Sequence, residues 1–187
     1  EDHVDSLARD ITVVELKQAL WSMSARKAPG VDGLGPRFYK QHWNIVAAPL
    51  LESFRHSFTV GHLSMSQSRA AITLLPKKGD LTSLRNWRPI SFQCCDYKIL
   101  ASALARRLKP VVPTLIHADQ TGFAAGRFIG TNVVRMRDTM DVCNEEARDG
   151  CFLVLDQEKA YDRVSWHYFR CVLTAFGFPT AFMRLVS

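Results

Sequence analysis

The chain has 187 residues, enough for one domain of ordinary size or two small ones. Its hydrophobic content of 47% is typical of a globular protein and argues against a disordered chain. No apolar run reaches the roughly 18 residues of a membrane span, and the N-terminal EDHVDSLARD lacks the profile of a signal peptide.

The cysteines indicate a reducing environment. There are five, without a C-x-x-C pair: Cys94, Cys95, Cys143, Cys151 and Cys171. We therefore expect reduced, mostly buried thiols rather than a disulfide framework or a zinc site. This composition predicts an intracellular protein, without separating nucleus from cytoplasm.

Positive charge is concentrated in one stretch of the sequence. The net charge is +6, and residues 69–109 hold nine Lys and Arg against two acids, a local balance of +7. Such a basic block predicts a polyanionic partner. Charge alone leaves open the alternative of an ordinary solvated surface.

The first part of the chain predicts helices around a loop rich in Gly and Pro. Thr12 and Glu15 form a T-x-x-E capping box ahead of apolar residues at helical spacing. The helix stops within KAPGVDGLGP, residues 27–36, and Pro36 suits the first position of the next helix. That second helix is expected to bend near Pro49.

The middle of the chain predicts a basic β-hairpin. Residues 70–77 (AAITLLPK) and 87–92 (WRPISF) have the composition of strands, and the sequence between them is polar and rich in turn formers. Pro89 places the second strand at an edge, because proline cannot donate a hydrogen bond to a sheet. An amphipathic helix is expected from Asp96 to Val111.

The last part of the chain predicts a loop, a helix, a strand and a helix. Residues 117–127 form the loop, and residues 131–147 form the first of these helices. Residues 151–155 (CFLVL) are apolar at every position, as in a buried central strand, and Asp156 follows at its C-terminal end. Ser165 caps the last helix. The order α, α, β-hairpin, α, α, β, α indicates an α+β domain.

Four blocks carry a more specific signal. In chain order they are KAPGVDGLGPRFYK, then ITLLPKKGD with LRNWRPISF, then DYKILASALARRLKPVVPTLIHADQTGFAAGR, and finally FLVLDQEKAYDRVSW. Together they resemble the reverse transcriptase domain of LINE-type, non-LTR retrotransposons over nearly the whole chain. The resemblance implies the fingers and a partial palm of a right-hand polymerase. Residues 1–149 would be the fingers-like region, with the basic hairpin at about 70–92, and residues 150–187 the start of the palm.

The resemblance assigns the metal chemistry to Asp156. This carboxylate, with the backbone carbonyl of Gln157, would hold Mg²⁺, or alternatively Mn²⁺, so that two ions bridge the attacking 3′ hydroxyl and the triphosphate. Tyr161 would lie under the incoming sugar and disfavour ribonucleotides, although many members of the family carry phenylalanine there. The structural alternatives are a carboxylate that caps the next turn and a tyrosine that belongs to the core.

The resemblance also implies nucleotide-binding and template-binding residues. Lys77, Lys78 and Arg88 would hold the triphosphate, because fixed cations stabilise the charge that builds on pyrophosphate. Gln120 would pack beneath the nucleotide. The implied template contacts are Phe123, Arg127, Arg106 and Arg107. Alternatives remain: an exposed turn for the lysines, a core position for Phe123, and a helix end that favours cations for the last two arginines.

A complete palm needs a second aspartate block. All twelve aspartates of this chain are isolated, so that block and the thumb are expected beyond Ser187. We thus expect an N-terminal fragment of an RNA-directed DNA polymerase, inactive alone, whose partners are an RNA template, a DNA primer and deoxynucleoside triphosphates, with no membrane. The alternative is a non-catalytic nucleic-acid-binding remnant. A phosphatase-type site is disfavoured because Glu158, not aspartate, stands two residues after Asp156.

Overall fold

A computed structural model describes residues 7–157 and 160–186, without the side chains of Tyr161 and Leu185. The chain divides into two compact units. The N-terminal unit comprises residues 9–107, and the C-terminal unit comprises residues 108–187 and the start of the chain. No helix in the described ranges is long and apolar enough to cross a bilayer.

The N-terminal unit is built from helices and one hairpin. Its helices are α1 (Val13–Ser22), α2 (Pro36–Gln41), α3 (Trp43–Val60), α4 (Met65–Ser68) and α5 (Cys95–Leu108), the last of which ends one residue into the C-terminal unit. Its strands are β1 (Ala70–Pro76) and β2 (Trp87–Gln93), with a short 3-10 helix at Leu84–Asn86 between them.

Helix α1 begins with the capping box that its sequence predicts. The N–H of Glu15 donates to the Thr12 hydroxyl at 3.3 Å, and the N–H of Thr12 donates to the Glu15 carboxylate at 2.9 Å. Leu16, Ala19 and Leu20 are buried on one side of the helix. This apolar stripe packs α1 against α3.

The predicted second helix is present as two helices. Pro36 is the first residue of α2, as expected, but α2 ends at Gln41 and α3 begins at Trp43. His42 between them has φ −107° and ψ 19°, which is outside the helical range. Pro49 lies inside α3 and does not end it, and α3 closes at Gly61 with a left-handed φ of 82°.

Strands β1 and β2 form an antiparallel hairpin at the expected place. Ala70 pairs with Gln93 at the open end, and Pro76 pairs with Trp87 next to the loop. Within the described residues the sheet consists of these two strands. Pro89 has no N–H to donate, and no further strand lies beside it that would require a hydrogen bond from this residue. Every residue of β1 is exposed.

The C-terminal unit contains only helices and loops in its described part. The helices are α6 (Val112–Leu115), α7 (Gly130–Glu145), α8 (Ala160–Arg163), α9 (Trp166–Ala175) and α10 (Thr180–Val186). Ser165 caps α9 by accepting the Tyr168 N–H at 3.0 Å, as predicted. Phe178 and Phe182 are buried with ring centroids 5.8 Å apart, beside the contact of α9 with α10.

The prediction of a buried central strand at residues 151–155 is wrong. Residues 151–157 have no regular secondary structure and are exposed, with Leu153 at 80% and Leu155 at 82%. A strand that is apolar on both faces is stable only when neighbouring strands and covering layers surround it. No strand in the described ranges pairs with this segment. The predicted α+β class therefore takes the form of helices with one small β-sheet in the described residues.

All five cysteines are free, but their burial is only partly as expected. Cys94 and Cys95 are buried, whereas Cys151 and Cys171 are exposed and Cys143 is intermediate. Burial raises the pKa of the Cys95 thiol to about 11, so this thiol is protonated at neutral pH.

Candidate nucleotide and nucleic-acid site

Hydrogen bonds brace the loop of the hairpin. At its base, the N–H of Lys77 donates to the Asn86 carbonyl at 2.7 Å. At its tip, the Asp80 carboxylate accepts from the N–H of Thr82 at 2.9 Å and from its hydroxyl at 2.7 Å. These two hydrogen bonds hold the pKa of Asp80 below its usual value. The loop therefore presents a defined shape rather than a random turn.

The three candidate triphosphate ligands lie around this loop. Lys77, Lys78 and Arg88 are all exposed. The Lys77 ammonium donates to the Arg85 carbonyl at 3.4 Å. Within the part of the chain that the structure describes, the side chains of Lys78 and Arg88 have no hydrogen-bond or ion-pair partner. Their charges are free to meet an anionic ligand.

The two arginines near the end of α5 have different surroundings. Arg106 is exposed, whereas the Arg107 side chain is only 8% exposed and pairs with Glu15, with Nε 2.6 Å from Oε1. Arg107 also donates to the carbonyls of Arg9 at 2.6 Å and Asp10 at 2.8 Å. A template contact by Arg107 would have to break these bonds, whereas Arg106 needs no such change.

Arg127 organises the loop between α6 and α7. Its guanidinium donates to four main-chain carbonyls, those of His117 at 2.5 Å, Gln120 at 2.8 Å, Pro113 at 2.9 Å and Ile116 at 3.3 Å. The planar fork of arginine can satisfy several acceptors at once. The guanidinium thus donates its hydrogen bonds to the backbone around this loop.

Phe123 is presented outward by the same loop. Its ring is fully exposed, and its φ of 59° lies in the left-handed region that bulky residues rarely adopt. The neighbouring Thr121 is buried, and its hydroxyl has no partner among the described residues. Gln120 is exposed and donates to the Gly122 carbonyl at 3.3 Å. An exposed aromatic ring held in a strained conformation is a candidate contact for a base.

Asp156 lies in the exposed irregular segment after α7. Gln157 beside it is also exposed, and the Asp156 carboxylate has no hydrogen bond or ion pair in the described ranges. Glu158 lies outside the described residues. The backbone of Tyr161 belongs to α8, but its side chain also lies outside the described part, so its proposed position under a sugar stays a prediction.

The candidate residues fall into two groups, one in each unit. The N-terminal unit holds Lys77, Lys78, Arg88, Arg106 and Arg107. The C-terminal unit holds Gln120, Phe123, Arg127, Asp156, Gln157 and Tyr161.

The structure also brings together three residues with side chains that can bind a metal ion, and the sequence does not predict a metal site there. One ligand atom each of Asp32, Cys94 and Asp96 lies within 4.8 Å of the other two. Asp32 is far from the other two in sequence, so no spacing motif connects them. The only local signal is the Cys94-x-Asp96 pair at the junction of β2 and α5.

Comparison with known proteins gives the family. The model of the family "Reverse transcriptase (RNA-dependent DNA polymerase)" matches residues 75–186, which include all eleven candidate residues. The "Transposon TX1 uncharacterized 149 kDa protein" of Xenopus laevis is 40% identical over 183 residues, which are 98% of this chain and 14% of that protein.

A second relative belongs to another element. The "Retrovirus-related Pol polyprotein from type-1 retrotransposable element R2" of Popillia japonica is 34% identical over 164 residues, which are 84% of this chain and 21% of that protein. The chain thus spans less than a quarter of each relative. It belongs to the reverse transcriptase family, and its relatives are proteins of the non-LTR elements TX1 and R2, as its four sequence blocks predict.

Proposed function

We propose that this chain supplies the fingers and the first palm segment of an RNA-directed DNA polymerase. The observation that carries the proposal is the family match over residues 75–186, which includes the loop and second strand of the basic hairpin and also Asp156. The substrates would be deoxynucleoside triphosphates, added to a DNA primer on an RNA template. The five free cysteines support an intracellular setting for this reaction.

The hairpin cations would bind the triphosphate. Lys78 and Arg88 are exposed and unpaired in the described structure, and the braced loop fixes the backbone that carries Lys77. Fixed cations of this kind stabilise the negative charge that develops on the leaving pyrophosphate, and they need no reorganisation during the reaction. Arg88 can also bind two phosphate oxygens through its planar fork.

Asp156 and the carbonyl of Gln157 would hold the catalytic Mg²⁺, with Mn²⁺ as an alternative. Both residues are exposed, so a hydrated ion can reach these oxygen ligands. Bound there, such ions would supply Lewis-acid activation of the attacking 3′ hydroxyl and would offset the charge of the triphosphate. One carboxylate provides only part of the coordination of two ions, and we propose that a second aspartate block of the full-length protein provides the rest.

The template would meet the protein through Phe123 and Arg106. The Phe123 ring and the Arg106 guanidinium are both exposed and ready to stack on a base or contact a phosphate. The internal hydrogen bonds of Arg107 and Arg127 support a positioning role for these two, in which they hold the α5 end and the loop after α6. Gln120 and Tyr161 would contact the nucleotide.

The alternative is a nucleic-acid-binding segment without catalysis. One observation favours it: Asp156 lies in an irregular, exposed segment, whereas a metal site requires ligands held in place by rigid elements. This alternative keeps the cationic hairpin and the exposed Phe123 but removes the metal role of Asp156.

Primer extension separates the two functions. The experiment uses a longer protein, in which this chain continues through a second aspartate block. The variants are Asp156→Asn and, as a matched control, the exposed Asp162→Asn. We expect Asp156→Asn to abolish extension on an RNA template while template binding persists, and Asp162→Asn to retain both. Extension at the unchanged rate by Asp156→Asn would remove this carboxylate from the mechanism. Template binding without extension by the unaltered protein would favour the non-catalytic alternative.

A further inference from the structure

The N-terminal unit holds a buried thiol beside two carboxylates. Cys94 directly follows β2 and is 2% exposed, and its Sγ lies within 4.8 Å of a carboxylate oxygen of both Asp32 and Asp96. Across the described ranges the Cys94 thiol has no hydrogen-bond partner, and neither carboxylate forms an ion pair. The nearby Lys98 ammonium donates instead to the Ala28 carbonyl at 3.0 Å. The Asp96 carboxylate accepts the Tyr97 N–H at 2.7 Å, so its charge is stabilised by hydrogen bonding and not by an ion pair.

The backbone fixes the three ligands relative to one another. Gly30 lies so close to Cys94 that a Cβ atom at residue 30 would be 2.5 Å from the Cys94 Cα. The loop of residues 27–36 is therefore in direct backbone contact with the β2–α5 junction, and the Lys98 hydrogen bond adds a second attachment. Asp32 in this loop uses one oxygen to accept the Leu34 N–H at 3.0 Å. The other carboxylate oxygen remains available for a ligand.

The two carboxylates of the cluster lie close enough for their charges to repel each other, because one oxygen of Asp32 and one of Asp96 lie within 4.8 Å of each other. A bound cation would offset the repulsion between the two carboxylates.

We propose that Asp32, Cys94 and Asp96 form a binding site for a thiophilic divalent cation, with Zn²⁺ as the biological candidate. A thiolate ligand favours zinc over the magnesium ion of polymerase chemistry, which prefers oxygen ligands. Binding would release the Cys94 thiol proton to solvent. Tetrahedral zinc with bonds of about 2.0–2.3 Å requires only a small contraction of the cluster. Water takes the fourth position, which it can reach beside the exposed Asp32.

Such an ion would join two parts of the N-terminal unit that are distant in sequence. It would hold the 27–36 loop, through Asp32, against the start of α5, through Cys94 and Asp96. This role uses neither Asp156 nor the hairpin cations and therefore stands apart from the proposed polymerase function.

Cobalt is the probe of choice, because Co²⁺ replaces Zn²⁺ and a thiolate ligand gives it a charge-transfer absorption band in the near ultraviolet. We expect the unaltered chain to develop this band on titration with Co²⁺, and Zn²⁺ but not excess Mg²⁺ to abolish it. Cys94→Ser should remove the band. Asp32→Asn, at an exposed position outside the core, should weaken Co²⁺ binding at least about tenfold.

The matched control is Cys171→Ser. Cys171 lies 3.6 Å from the His167 ring nitrogen and forms a separate, exposed thiol–imidazole pair. The band should persist in this variant. Absence of the band in the unaltered chain, or its persistence in folded Cys94→Ser, would overturn the proposal. If circular dichroism shows that Cys94→Ser does not fold, Asp32→Asn decides, and an unchanged Co²⁺ affinity there would overturn the proposal.

Discussion

Arg107 near the end of α5 forms a two-point ion pair with Glu15 in the first turn of α1. The Nε–Oε1 distance is 2.6 Å and the Nη2–Oε2 distance is 2.9 Å. The same carboxylate accepts the Thr12 N–H at 2.9 Å in the capping box. One glutamate therefore both caps α1 and attaches it to α5. An arginine fork matches a carboxylate in this geometry in a way that lysine cannot.

Loss of this arginine should destabilise the N-terminal unit. We expect Arg107→Ala to lower the free energy of unfolding by on the order of 2 kcal/mol, because the hydrogen bonds to Glu15 and to two carbonyls are lost from a mostly buried position. The exposed neighbour provides the control, and Arg106→Ala should change stability by no more than about 0.5 kcal/mol. Urea denaturation measures both variants, and equal effects would contradict a structural role for Arg107.

The contribution of Glu15 to stability should depend on pH. Burial raises the pKa of Glu15, but the hydrogen bonds from Arg107 and Thr12 outweigh burial and hold that pKa below its usual value. Because the folded-state pKa is depressed, the contribution is complete above the unfolded-state pKa of about 4.3 and is lost as pH falls through the folded-state value. The stability difference between the unaltered chain and Glu15→Gln should therefore shrink in acid. Urea unfolding over a pH series checks this, with the exposed Glu52→Gln as control, and a constant difference for Glu15→Gln would refute it.

Nucleic-acid binding through the basic block at residues 69–109 should depend steeply on salt. Each phosphate contact contributes a slope of roughly −0.9 to log affinity against log salt for duplexes, and roughly −0.7 for single strands. We expect Arg106→Ala, at the proposed template contact, to weaken binding to a primer–template and to reduce the magnitude of that slope by about one contact. Arg26→Ala removes the same charge from an exposed position outside the basic block and should leave the slope unchanged. Fluorescence anisotropy measures both, and identical slopes for the two variants would exclude Arg106 as a contact.

The stability of the loop between α6 and α7 against local opening should depend on the shape of the Arg127 side chain and not only on its charge. Arg127→Lys keeps the charge but cannot replace the fork that reaches four carbonyls, so the backbone N–H groups of residues 117–127 should exchange with solvent faster. Arg137→Lys, an exposed substitution of the same kind on α7, should leave exchange in the loop unaltered. Hydrogen–deuterium exchange compares the variants. Unchanged protection in Arg127→Lys would show that these hydrogen bonds do not hold the loop.

Tyr161 should control the choice of sugar in a polymerising protein that contains this chain. If its ring lies under the sugar, Tyr161→Ala admits a 2′ hydroxyl and lowers the ratio of kcat/KM for dNTP over rNTP by orders of magnitude. Each 1.4 kcal/mol of lost discrimination between the two transition states lowers this ratio about tenfold. A core tyrosine would act differently. Both substrates would then lose rate together, and stability would fall by about 3–5 kcal/mol. An unchanged ratio would therefore assign Tyr161 to packing.

Local signals in the sequence predicted local structure well. The capping box at Thr12, the helix start at Pro36 and the cap at Ser165 each depend on residues within one helical turn, so a single sequence contains the necessary information. The family is likewise recognisable from four short blocks. The position of the hairpin strands follows from composition and turn residues close in sequence.

Features that depend on distant partners were not predictable from the sequence. The apolar run at residues 151–155 has the composition of a strand, but strand formation requires neighbours that no local pattern reveals. The sequence indicates only that Arg107 is a cation near a helix end, and the structure is needed to show that it pairs with Glu15. The approach of Asp32 to Cys94 depends on a loop that folds back onto the β2–α5 junction. In each case tertiary contacts determine the environment of the residue.

The close approach of Gly30 to Cys94 also restricts how this protein can vary. Any residue other than glycine at position 30 would place a carbon inside the contact distance of the Cys94 backbone, so substitution requires the loop to move away. Gly122, by contrast, has open space where a side chain would begin. In a library randomised at both positions and selected for folded protein, position 30 should return almost only glycine, while position 122 accepts many residues. Glycine at position 30 is therefore a condition for the close approach that brings Asp32 near Cys94.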